Sequence, residues 1–231
     1  MIEEALSNLR LINDLEVLIP IALLAVILVA ISKSGFGGAL GSLGLPVMVL
    51  VFPPKLAIAI LLPLYLITDV FVAFTWRKFP VFKILKLMVL GGLIGQILGW
   101  LCFEYLDDSY ILILIGLLAL TTSIRYFKDI FITDYFVKKT KKILELSYTR
   151  AIGWCGFSGF SSFVALTGGI PAQIFLLPLG LERQLFVGTM SFYFLIINLA
   201  KLPFFFNLEV VSQTSILFTF IFLPIFPLAV D

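Results

Sequence analysis

The chain has 231 residues, of which 61% are hydrophobic and 13% charged, with a mean hydropathy of +1.14 and a net charge of +2. Soluble domains are about half apolar and a quarter charged, so this composition excludes an ordinary soluble protein and predicts a membrane protein. The small net charge gives no sign of nucleic-acid binding. The chain has no histidine, the commonest metal ligand and catalytic base. Cys102 and Cys155 lack metal-ligand spacing and are interpreted as packing residues, so no cofactor or metal is predicted.

Apolar segments follow one another along almost the whole chain. In order, those predicted to lie in the membrane are 17–35, 38–52, 56–76, 84–103, 110–127, 149–166, 170–178, 183–202 and 212–230. The segments 38–52 and 170–178 are shorter than the roughly 20 residues that cross hydrocarbon, so we predict half-helices or re-entrant segments there. The acidic N-terminus lacks the features of a signal peptide, and the first apolar segment is expected to be retained.

Basic residues set the predicted orientation. Lys and Arg concentrate in 76–83 and 128–148, which are therefore expected on the cytoplasmic side, while the acidic loop 104–109 is expected outside. The basic linker 128–148 divides the chain into a first membrane repeat, 1–127, and a second, 149–231. The acidic N-terminus slightly favours an outside location, which would make the two repeats inverted.

The two halves carry the same features in the same order. The sequence "SGFGG" at 34–38 corresponds to "SGFSS" at 158–162, about 125 residues later. Each cluster is followed by two prolines seven residues apart, Pro46 and Pro53 in the first half and Pro171 and Pro178 in the second. The pattern predicts an all-α polytopic membrane protein with a Gly/Pro-broken helix in each repeat, and such paired breaks are typical of secondary transporters. Chance similarity of two apolar segments is the alternative.

These motifs resemble the TauE/SafE sulfite exporter family. The resemblance is carried by "GFGGALGSLGLPVMVLVFPPKLAIAILLPLYLITD", "GFSSFVALTGGIPAQIFLLPLGLERQLFVGT" and the glycine-stepped "LGGLIGQILGW". It implies export or import of small sulfur-containing anions, such as sulfite or organosulfonates, by a multi-pass protein of the bacterial inner membrane. Two features depart from the family: Ser161 and Ser162 stand where members often have glycine, and the chain ends at Asp231. We therefore expect either a short variant or a second repeat without its last helix.

A broken membrane helix also has its own chemistry. It presents unpaired N–H groups and a helix dipole, both of which attract anions, and serine and threonine hydroxyls can complete the cradle. We predict an anion site where the two breaks meet, with close packing of small residues as the alternative. The candidate binding residues are Lys33, Ser34, Gly37, Gly38, Gly41, Ser42, Gln96, Ser158, Ser161, Ser162, Thr167, Gly168, Gly169, Gln173 and Thr189.

Charged and amide side chains within the apolar segments leave alternatives open. Lys33 either faces the cavity or extends to the far interface. Asp69 is the candidate for proton coupling or for pairing with Lys33, and the alternative is a structural ion pair or a helix-end position. Gln96 either donates to an oxyanion or joins two helices.

The last segment of the second half, 183–202, holds further polar residues. Thr189 and Asn198 lie nine residues apart, on opposite sides of an ideal helix, so at most one can face the site. Arg183 with Gln184 at one end and Lys201 at the other are expected at the membrane interface.

The function predicted is a secondary transporter that moves a small sulfur-containing anion by alternating access, with proton coupling left open. The alternatives are an anion channel and, with less support, a membrane-embedded enzyme, for which the sequence has no catalytic motif. The expected partners are the anionic substrate and the lipid bilayer, with no nucleic acid, and a homo-oligomer is left open.

Overall fold

The computed structural model describes residues 15–35, 40–103, 105–136, 145–207 and 219, and every regular element in these ranges is a helix. The α-helices are α1 (Leu15–Gly35), α2 (Gly44–Met48), α3 (Pro54–Thr75), α4 (Phe82–Phe103), α5 (Asp108–Phe136), α6 (Tyr148–Ala165), α7 (Gly169–Leu176) and α8 (Arg183–Asn207). Two 3-10 turns, Leu40–Leu43 and Leu177–Leu179, precede α2 and follow α7. Within the described ranges, α3, α4 and α8 are long and apolar enough to cross a membrane.

Contacts between loops and helix starts define the two ends of the bundle. At one end, which we call the acidic end (105–108), Lys55 Nζ lies 3.8 Å from Asp108 Oδ1. At the other, the basic end (77–83), the Val81 amide donates to Thr189 Oγ1 at 3.0 Å. Helix α3 therefore runs from the acidic to the basic end, whereas α8 runs in the opposite direction.

In the first half, the chain reverses direction after α1. The Gly41 amide donates to Ser32 Oγ, and Gly44, further along the returning segment, lies against Val29 and Ala25. The 3-10 turn and α2 thus run antiparallel to α1 and lead back to the acidic end, where α3 begins. We call residues 15–35 and 40–48 the first hairpin.

In the second half, the chain reverses after α6. Leu166 adopts a left-handed conformation with φ of 52°, and the amides of Leu166 and Thr167 donate to the carbonyls of Ser162 and Ser161. This cap ends α6 as a left-handed residue commonly ends helices. Helix α7 then returns to the basic end, where α8 begins. We call residues 148–179 the second hairpin.

Glycines on α4 and α6 hold the second hairpin in place. An ideal Cβ at Gly95 would lie 1.8 Å from the Gly156 carbonyl oxygen, and one at Gly159 would lie 1.9 Å from the Gly92 carbonyl oxygen. The two backbones are therefore in direct contact, as small residues allow between membrane helices. Gly92 lies against Gly159, and Gly99 lies against Phe163. Because residue numbers increase together along the two helices, α6 runs parallel to α4, away from the basic end.

Candidate functional site

The two helix breaks lie against each other. The 3-10 turn of the first hairpin, Leu40–Leu43, contacts α7 of the second hairpin. Backbone at such a break is tolerated in a membrane only where it packs on protein or lines a cavity. The contact brings the turn that contains Gly41 and Ser42 to the returning helix of the second half.

In the second hairpin, serine and threonine hydroxyls bond to the backbone of the break itself. Ser158 Oγ donates to the Gly168 carbonyl at 2.6 Å, Ser161 Oγ to the Ser158 carbonyl at 3.2 Å, and Thr167 Oγ1 to the Ser161 carbonyl at 3.4 Å. All three hydroxyl groups are buried, and Tyr193 of α8 donates to Ser158 Oγ at 3.0 Å. The three hydroxyl groups therefore stabilise the backbone of the break through these hydrogen bonds. In this conformation their protons are not available to donate to an anion.

In the first hairpin, hydrogen bonds to the backbone of Gly41 hold the turn after the break. Buried Ser32 accepts the Gly41 amide, and Tyr65 of α3 donates to the Gly41 carbonyl at 2.7 Å. Ser42, next to it, is 2% exposed, and its hydroxyl oxygen has no hydrogen-bond partner among the described residues. A buried hydroxyl without a partner costs free energy, which a bound ligand would recover.

The polar contacts of the two hairpins are similar but not identical. In the first, Ser32 and Tyr65 both bond to Gly41, which follows the break. In the second, Ser158 bonds to Gly168, which follows the break, and Tyr193 bonds to Ser158 itself. The corresponding residues are separated by 126 to 128 residues, slightly more than the 124 to 125 residues between the sequence motifs.

A buried charge network, formed by Asp69, Asn198, Lys201 and Ser162, joins α3, α8 and α6. Asn198 Nδ2 donates to Asp69 Oδ2 at 2.6 Å, and Lys201 Nζ donates to Asn198 Oδ1 and to Ser162 Oγ, each at 2.8 Å. No member is more than 3% exposed. The prediction that Lys201 anchors the helix at the interface is therefore wrong: its side chain is fully buried, because α8 continues to Asn207.

This network reaches the second break. Ser162 lies in the last turn of α6, where its carbonyl accepts the amide of the capping residue Leu166. Polar contacts thus run from Asp69 of α3 through Asn198 and Lys201 to the second break. Asp69 lies one helical turn after Tyr65, which bonds to Gly41 of the first hairpin.

Two candidate residues have their hydrogen bonds elsewhere. Gln96 Nε2 donates to the Ile197 carbonyl at 2.7 Å, which joins α4 to α8, and its Oε1 has no partner in the described part of the chain. Thr189 bonds to Val81 at the basic end and to the Leu185 carbonyl of its own helix. Asn198, on the other side of α8, is the one that reaches the charge network.

The remaining candidates are placed as follows. Gly168 and Gly169 are buried at the start of α7, and Gln173 is half-buried further along that helix. Lys33 and Ser34 belong to the last turns of α1, but their side chains lie outside the described part, as do Gly37 and Gly38.

Sequence reasoning did not select Ser32, Tyr65, Tyr193 and Lys201. Tyr65 and Tyr193 lie 128 residues apart, close to the separation of 124 to 125 residues between the two sets of motifs, and this similarity could have drawn attention to both. Lys201 lies three residues after Asn198, a spacing that places two side chains on one helix face.

Replacing Tyr65 by phenylalanine should lower stability by about 1–3 kcal/mol, because the buried Gly41 carbonyl would lose its donor. Thermal unfolding in detergent measures the effect. Tyr110→Phe, at an exposed tyrosine on α5, is the matched control and should leave the midpoint unchanged. Equal midpoints for both variants would contradict the role assigned to Tyr65.

Comparison with known proteins identifies the family. A family model, sulfite exporter TauE/SafE, matches residues 22–230, nearly the whole chain. The chain belongs to this family. The match confirms the resemblance seen in the motifs, and membership implies a membrane transporter of sulfite or related sulfur anions. Comparisons with curated proteins and with solved structures gave no match.

Proposed function

We propose that this TauE/SafE protein is a secondary transporter that carries a small sulfur-containing anion, sulfite or an organosulfonate, across the bacterial inner membrane by alternating access. The observation that carries the proposal is the contact between the two breaks, where the turn at Leu40–Leu43 meets α7. Transporters of several folds bind substrate between discontinuous helices at the middle of the membrane.

The groups around this contact suit an oxyanion. Helix α7 has no side-chain cap at Gly168, so the amides of Gly169 and Ile170 in its first turn have no capping oxygen from that residue. Helix N-termini favour negative charge. The buried Ser42 hydroxyl, unpartnered among the described residues, adds a donor on the opposing turn. We propose these groups as direct ligands, with Ser158, Ser161 and Thr167 holding the break in shape.

Asp69 is the proposed site of proton coupling. It is 2% exposed and bonded to Asn198, and an ionisable group within a membrane helix commonly belongs to a transport pathway. Its hydrogen bond ties α3 of the first half to α8 of the second. Protonation would weaken this tie between the halves.

The course of the chain supports two inverted repeats. The two free ends of the first hairpin lie at the acidic end of the bundle, and those of the second hairpin lie at the basic end. The helices that follow the hairpins, α3 and α8, run in opposite directions. Rocking of one repeat against the other would then expose a site between them to each side in turn.

Flux into proteoliposomes tests the proposed function. Purified protein should take up sulfite, thiosulfate or sulfoacetate in preference to acetate, with a rate that saturates as the anion concentration rises. Uptake that stays linear with concentration would favour an anion channel, and chemical conversion of the anion would indicate an enzyme. If none of these anions moves, the proposal fails.

A further inference from the structure

Lys201 carries a charge in the protein interior. It is fully buried on α8, and its ammonium donates to the neutral oxygens of Ser162 and Asn198 at 2.8 Å. Moving an ammonium group out of water costs several kcal/mol even after relaxation, so packing alone is a weak reason for a lysine here. Buried cations of membrane helices commonly serve a substrate or ion pathway.

The orientation of Asn198 connects Lys201 with Asp69. Because its amide nitrogen donates to Asp69, its oxygen faces Lys201. This neutral amide therefore links the ammonium to the carboxylate. A charged oxygen in place of either neutral oxygen would give the ammonium a stronger hydrogen bond.

Ser162 places the ammonium beside the break. It lies in the last turn of α6, and its Cβ would be 2.6 Å from an ideal Cβ at Gly168, the residue that begins the return into α7. The Lys201 side chain therefore ends next to the segment where the two halves meet. None of the other candidate ligands whose side chains are described carries a positive charge.

We propose that Lys201 is the residue that selects the transported anion by its charge. An anionic oxygen at the second break would replace Ser162 or Asn198 as an acceptor of the ammonium, while Asp69 and Asn198 hold the ammonium in position when no anion is bound. The inference rests on the proposed function, since it requires an anion at the break.

The test removes both charges together, so that neither is left buried without its counterpart. Lys201→Met with Asp69→Asn is compared with Asp69→Asn alone and with the matched exposed pair, Lys55→Met with Asp108→Asn. Binding is measured as the rise in thermal midpoint with sodium sulfite, and transport as the KM for sulfite uptake. The Lys201 double variant should lose the midpoint rise and raise KM by about 10- to 100-fold, the range for one charge-assisted hydrogen bond.

The controls separate the outcomes. The exposed pair should keep the sulfite-dependent rise in midpoint, and Asp69→Asn alone gives the baseline against which the further effect of removing Lys201 is measured. If the Lys201 double variant binds and transports sulfite with the KM of the unmodified protein, the inference is overturned while the transporter proposal stands. If the unmodified protein moves no anion, the proposed function fails first.

Lys201→Arg covers the case in which the double variant does not fold. Arginine keeps the charge but presents it as a planar, forked donor. The expected result is sulfite transport with a changed ratio of KM values for sulfite and for the monovalent sulfonate methanesulfonate. An unchanged ratio would contradict a selecting role for Lys201.

Discussion

Asp69→Ala should lower the free energy of unfolding by about 3–5 kcal/mol, the range for removing one partner of a buried charge network. The change takes away the carboxylate that holds Asn198, and through it the ammonium of Lys201. Unfolding by a denaturing detergent measures the loss. Asp108→Ala, at a half-exposed carboxylate 3.8 Å from Lys55, is the control and should cost about 0–1 kcal/mol.

A double-mutant cycle then tests the coupling. Asp69→Ala combined with Lys201→Met should cost less than the sum of the two single changes, because neither charge is then left without the other. Additive costs would show that Asn198 does not link the two charges energetically.

Gly159→Ala should lower stability by about 1–3 kcal/mol or prevent assembly of the bundle, as overpacking does in a close-packed interior. A methyl group there would meet the Gly92 carbonyl oxygen at 1.9 Å, and only movement of the α4 or α6 backbone can relieve that contact. The measurement is the thermal midpoint in detergent together with the yield of monodisperse protein.

Gly153→Ala on the same helix is the matched control for this change. An ideal Cβ at Gly153 has no atom within 4 Å among the described residues, so this variant should be unaffected or slightly stabilised by the better helix propensity of alanine. Equal stability of the two variants would show that α4 and α6 are not held by backbone contact.

The positions of the breaks follow from local chemistry and could be predicted from sequence. The segment 170–178 is too short to span a membrane, so the sequence predicts a half-helix or re-entrant segment where α7 and its 3-10 turn lie, although the preceding cluster at 158–162 continues α6. The paired motifs also predict that the two breaks meet. Neither inference needed long-range packing.

The partners of the polar groups could not be predicted in the same way. The predicted helix ends at 202 and places Lys201 at the interface, whereas α8 continues to Asn207 and keeps the lysine inside. The sequence leaves two alternatives for Gln96, and its hydrogen bond to the Ile197 carbonyl joins two helices. Such choices depend on which helices become neighbours, and periodicity within one helix carries no information about that.

Counterflow in proteoliposomes tests the central claim most directly. Vesicles loaded with unlabelled sulfite are diluted into a trace of labelled sulfite, and internal label is followed with time. A site that faces each side in turn predicts a transient accumulation of label above the external concentration, absent from vesicles without protein. A monotonic approach to equal concentrations, at a rate proportional to the external sulfite, would contradict alternating access at the paired breaks.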